Sequence, residues 1–176
     1  MWEKMRRCYP PQFELVSLFL AILTFYIVLS NYSTLPDTIP THFDAGGNPD
    51  DWSSKGTIWV YPILSAVFFL SFIFIYFLFA IVDDPRQFIN LPGGRSKMEA
   101  LTREQTENLR VFVNRSLFIL KIISLGLFTY LAWQTVEVAL GRASDIGLFI
   151  WLFVGAILVV VGYTVWKCYR LIKTSA

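Results

Sequence analysis

Residues 35–55 read LPDTIPTHFDAGGNPDDWSSK. This long polar, turn-rich stretch holds His42, the only histidine of the chain, together with Asp37, Asp44, Asp50 and Asp51. Ile39, Thr41 and Phe43 alternate with a period of two, so an extended segment turns His42 and Asp44 to its other face. Gly46-Gly47-Asn48-Pro49 supplies a tight turn. A small hairpin or strand-turn lid follows, with Asp50-Asp51-Trp52 read as opening one short helical turn.

The flanking sequence decides what this lid covers. Hydrophobic residues make up 55% of the chain and charged residues only 16%, with positive mean hydropathy. The apolar residues fall into four runs, Phe13–Tyr32, Ile58–Val82, Ser116–Val138 and Ile146–Trp166. Each meets the roughly 20 residues that a helix needs to cross a bilayer. The fold class is therefore all-α: a polytopic integral membrane protein with four transmembrane helices, a structured outer loop and a cytoplasmic amphipathic helix. What remains outside the spans is too short for a soluble domain with its own sizeable core.

Charge orients the bundle. Lys4, Arg6 and Arg7 precede the first run. Arg86, Arg95, Lys97, Arg103, Arg110 and Arg115 lie between the second and third, and Lys167, Arg170 and Lys173 end or follow the fourth. The other side carries only Lys55 and Arg142. Because cationic loops stay in the cytoplasm, residues 1–12, 83–115 and 167–176 are expected inside the plasma (inner) membrane. The loops 33–57 and 139–145 then lie outside. The first run, 13–32, is too long for a cleavable signal and reads as an uncleaved anchor. Cys8 and Cys168 are expected as interfacial thiols in a reducing compartment, where disulfides are rare.

Local signals place the helices. Pro10-Pro11 allow a helix to start near Gln12, with Glu14 at its positive end. Ser17, Thr24 and Ser30 have their own backbone or a neighbouring helix as hydrogen-bond partners. Trp59 and Tyr61 mark the outer interface, and Pro62 suits a first helical position. The second span, 58–82, is rich in phenylalanine and uncharged, hence lipid-facing over much of its surface. Thr102-x-x-Gln105 is a capping-box signature. Arg103–Glu107 and Glu107–Arg110 have the spacing of surface ion pairs, and Leu109, Phe112 and Val113 form an apolar stripe. That helix is expected at the inner surface, running straight into the third span, 116–138. The short connection Gly141–Asp145 sets the fourth span, 146–166, antiparallel beside the third. Gly155 and Gly162 on the fourth offer a close-approach face.

Ionisable and polar groups within spans are candidates for function. Lys121 and Glu137 on the third span lie roughly 24 Å apart along a helix, which excludes a mutual ion pair. Lys121 is expected to snorkel to the inner interface, and Glu137 to meet Arg142. In an oligomer, Lys121, Thr129, Gln134 and Glu137 could line a polar path. Outside the bilayer, His42 and Asp44 are weak metal candidates; no second histidine or cysteine accompanies them, and Gly46 breaks a calcium-loop spacing. Ser53 and Ser54 lack the strand-turn-helix context of a nucleophile. Gly93-Gly94-Arg95-Ser96-Lys97 lacks phosphate-loop spacing, and its cations suit anionic headgroups. No cofactor or nucleic-acid partner is expected.

Pro36-x-x-Ile39-Pro40-x-His42-Phe43, then Gly47-x-Pro49-Asp50, then Ser54-Lys55 before a helix, resembles the domain of unknown function 1648. That domain is also found at the N-terminus of SdpI-type bacterial immunity proteins. The resemblance covers about Leu15–Ala66, and the further multi-helix portion of the SdpI-type proteins has no counterpart in Ser116–Trp166. It implies a bacterial or archaeal membrane protein tied to peptide-toxin protection or signalling. The expectation is a non-enzymatic membrane protein whose outer loop recognises a ligand or partner, the partner a peptide or protein, through His42, Asp44, Asp50 and Lys55, with the lipid bilayer and further copies of itself as other partners. The alternatives are an oligomeric transporter or channel component and, third, a metal-dependent membrane enzyme.

Overall fold

The computed structural model describes residues 11–82 and 101–173. After a short 3-10 turn at Pro11–Phe13 come α1 (Glu14–Asn31), β1 (Thr38–Phe43), β2 (Pro49–Ser54), a second 3-10 turn (Lys55–Trp59), α2 (Val60–Ile81), α3 (Arg103–Ala139) and α4 (Phe149–Lys173). Four of its helical segments are long and apolar enough to cross a membrane. The chain is an all-α polytopic membrane protein. Cys8 and the Gly93–Lys97 segment lie outside the described residues.

The centre of the bundle is α3, which packs against each of α1, α2 and α4. It begins with the expected capping box: the Thr102 hydroxyl accepts from the Gln105 amide, and the Gln105 side chain accepts from the Thr102 amide. From there one unbroken helix of 37 residues continues to Ala139. Its first turns run straight into the apolar span, as expected, and one face of them is packed. Leu109 is fully buried and packs with Leu101 and Cys168, and Phe112 and Val113 pack against the same group. Cys168, near the end of α4, is thus buried against protein.

Small and polar residues set the helix contacts, as expected where lipid on the other side removes any hydrophobic gain from pairing helices. Thr24 of α1 and Thr129 of α3 share a hydrogen bond of 2.9 Å. Thr129 also reaches the Leu20 carbonyl of α1 at 3.3 Å, while other hydroxyl bonds stay within their helices, from Thr24 to the Leu20 carbonyl, Ser30 to Tyr26 and Thr129 to Leu125. A Cβ on Gly126 of α3 would stand 3.1 Å from Phe153, so this glycine sets the approach of α4. Gly155 and Gly162 have open space instead, and no described residue uses the close-approach face expected there. Along α2, Leu70, Phe74 and Phe77 are exposed, in keeping with a lipid-facing surface.

The polar stretch forms an antiparallel hairpin over one end of the bundle. Asp50, Asp51 and Trp52 belong to β2, not to a helical turn; the short turn comes later, at Lys55–Trp59. Pro62 stands within the first turn of α2, two residues after Val60. The hairpin register shifts on both sides of His42, leaving Thr41 and Asp50 without register partners. This breaks the period-two pattern, and Ile39 and Pro40 are both buried.

Candidate functional site

Most of the hairpin's polar residues hold the hairpin itself. The Asp44 carboxylate accepts from the amides of Gly46 and Asn48, each at 2.8 Å, and from the Asn48 side chain. These donors, Asn48 first, hold its carboxyl below the usual range. Gly47 has φ +87°, a conformation that L side chains avoid. Its carbonyl accepts from the Ile146 amide at 3.0 Å, tying the hairpin tip to the α3–α4 connection. There Asp145 accepts from the Ser144 hydroxyl and the Gly147 amide, which lower its carboxyl in turn.

At the hairpin base, Ser54 accepts from the Gly56 amide at the start of the 3-10 turn. Lys55 reaches back across the loop to Asp37 at 3.2 Å, and its ammonium lies 5.8 Å from the Tyr32 ring centre. Beneath, Leu35, Ile39 and Ile58 pack with Val28 of α1 and with Ala132 and Val136 of α3. Burying an isoleucine of this kind contributes roughly 1.5–3 kcal/mol. The hairpin is therefore a docked element, and α3 completes its core.

His42 and Asp50 stand apart from this scaffold. Their side chains meet at 2.5 Å, Nδ1 to Oδ1, with 67% and 47% of their side-chain surface exposed. The bulged position of Asp50 re-aims its carboxylate, a common use of such irregularities. Asp50, and more weakly Asp51 and Asp44, raise the imidazole above its ordinary value of 6.5. Trp52 is half exposed on the same hairpin. Of the four expected recognition residues, the structure brings His42 and Asp50 together at the surface. Asp44 sits in the turn and Lys55 at the base. Among the described residues no three His, Cys, Asp or Glu side chains converge.

Residues 19–66 match the model of the family described as Domain of unknown function (DUF1648). The chain carries this domain. The DUF1648 domain spans most of α1, the hairpin and the first turns of α2, so Ala132 and Val136, which complete its core, lie beyond it. The chain is also 30% identical, over 126 residues, to an uncharacterised protein of Archaeoglobus fulgidus. That match covers 71% of this chain and 66% of the relative, so the chain spans just under two thirds of the relative's length. No solved structure matches.

The polar groups of α3 are occupied by partners. Lys121 is 2% exposed and meets both carboxylate oxygens of Glu14, in the first turn of α1, at 2.6 and 2.5 Å. Gln134 donates to the Ile146 carbonyl and to the Tyr130 hydroxyl, which itself donates to that carbonyl. Glu137 pairs with Arg142 at 3.2 Å, as expected. Arg110 departs most from its reading as a surface cation. It is 1% exposed, lies 3.3 Å from Glu107, and donates to the carbonyls of Phe79 and Val82 at the end of α2. Sequence spacing alone carried no signal for the Glu14–Lys121 or Arg110–α2 contacts.

Proposed function

We propose that this chain is a non-enzymatic membrane protein whose DUF1648 hairpin recognises a peptide or protein partner outside the plasma (inner) membrane, with both termini in the cytoplasm. Family resemblance supplies the setting, toxin protection or signalling. One observation carries the reading. Asp44, Gly47, Ser54 and Lys55 are engaged in folding and docking the hairpin, whereas the His42–Asp50 pair is left exposed beside Trp52. An imidazole–carboxylate pair in this position presents a donor and an acceptor at once, and an exposed tryptophan is a common anchor of interfaces. The excess of cations at the opposite end of the bundle supports the orientation.

The test is His42→Ala together with Asp50→Asn in cells challenged with the peptide toxin. Both variants should insert normally and lose protection or partner capture; full protection by both would overturn the proposal. A cysteine placed at Ser54 should react with an impermeant reagent on intact cells. Reaction only after lysis would overturn the orientation.

A further inference from the structure

A cleft of about 650 Å³ lies between the hairpin and the start of α2, within the range of sites that hold small molecules, roughly 300–1,000 Å³. The hairpin contributes Asp51 and Ser53 to its lining, α2 contributes Tyr61, Ile63 and Leu64, and α3 contributes Thr135. Ile63 and Leu64 are 55% and 38% exposed on a helix apolar enough to span a bilayer, so this side of the cleft opens onto hydrocarbon. Trp59 and Tyr61 set its depth at the headgroup level. Tyr61 and Thr135 bond to each other at 3.0 Å.

Charge selects the occupant. The Asp51 carboxylate accepts from the Trp52 amide at 2.9 Å, and its cross-strand neighbour His42 is held by Asp50 at 2.5 Å and acts on Asp51 only weakly. The cleft thus joins an anionic, hydroxylated rim to an apolar wall that continues into the membrane. We propose that it holds one aminophospholipid of the leaflet at the hairpin end, its ammonium on Asp51 and the upper part of an acyl chain on Ile63 and Leu64. The lipid phosphate stays in the solvated headgroup layer. This inference needs only the bundle in a bilayer and does not rest on partner recognition by His42 and Asp50.

The experiment uses the full chain in nanodiscs of equal phosphatidylethanolamine and phosphatidylglycerol, with a trace of either lipid bearing a photoreactive acyl chain. The phosphatidylethanolamine probe should label the peptide containing Ile63 and Leu64 roughly fivefold more than the phosphatidylglycerol probe. Asp51→Asn should abolish that preference, and Leu64→Trp should reduce labelling by both probes there. Asp51→Asn retains an oxygen to accept from the Trp52 amide, so the hairpin keeps that bond. Equal labelling by the two probes, or a preference that survives Asp51→Asn, would mean ordinary boundary lipid and overturn the proposal. A photoreactive residue at Ile63 that captures a polypeptide in cells, instead of lipid, would overturn it as well.

Discussion

Glu14 and Lys121, separated by 107 positions in the chain, meet at 2.5 Å across the α1–α3 interface. Glu14 is in the first turn of α1, and Ser17 one turn later donates to the same carboxylate at 3.2 Å. The ammonium also lies 5.7 and 5.3 Å from the ring centres of Phe69 and Phe118. With the Thr24–Thr129 bond further along, this ion pair sets the rotation of α1 against α3, and aromatic rings wall its cation.

Glu14→Gln is expected to destabilise the bundle by about 3 kcal/mol, because it leaves a buried ammonium without its counter-charge. Replacing both partners, Glu14→Gln with Lys121→Met, should recover most of the loss. Unfolding of each variant in mixed micelles measures the coupling. Additive losses would show that the pair does not act as a unit.

Arg110→Ala is expected to cost roughly 2–3 kcal/mol, since the carbonyls of Phe79 and Val82 lose their donor at the end of α2. Arg110→Lys should recover only part, because an ammonium lacks the fork that spans two acceptors. Hydrogen exchange in the last turn of α2 should rise in both variants. Wild-type protection there in Arg110→Ala would contradict the capping role.

Gly47→Ala places a side chain at φ +87° and a methyl 3.3 Å from Ile146. The backbone alone costs about 1–2 kcal/mol. The expected result is local: faster exchange of the Ile146 amide, which donates to the Gly47 carbonyl, with the helices unaffected. Unchanged exchange at Ile146 would show that the tip is not docked.

His42 titrates above 6.5 because Asp50 stabilises its charged form. Its folded value exceeds its unfolded one, so the stabilisation is fully present below about pH 6.5 and fades as pH rises through the raised value. His42 is the only histidine, so its ring resonances report the titration without overlap. Asp50→Asn should bring the midpoint back toward 6.5. A midpoint at or below 6.5 that Asp50→Asn leaves unmoved would show that the pair does not form in solution.

Much of the fold was legible in the sequence. The four apolar runs, the Gly-rich turn, the capping box at Thr102 and the Glu137–Arg142 pair are local, and each follows from composition or from spacing along a short stretch of chain. Readings failed where a residue's fate depended on another element. Arg110 and Glu107 have the spacing of a surface pair, yet packing of α2 beside α3 buries the guanidinium. Asp50 and Asp51 suit a helix start, but the register of β2 with β1 keeps them extended. Nothing in the spacing of α3 marks Glu14 of α1 as the partner of Lys121.

The sequence by itself determined that this chain crosses a membrane and carries a folded polar hairpin, because bilayer thickness and turn chemistry act on contiguous residues. Only the tertiary structure decided which of the hairpin's polar groups are spent on folding and which remain at the surface. That division depends on how α1 and α3 rotate to meet the loop, and the rotation is set by contacts between residues far apart in the chain.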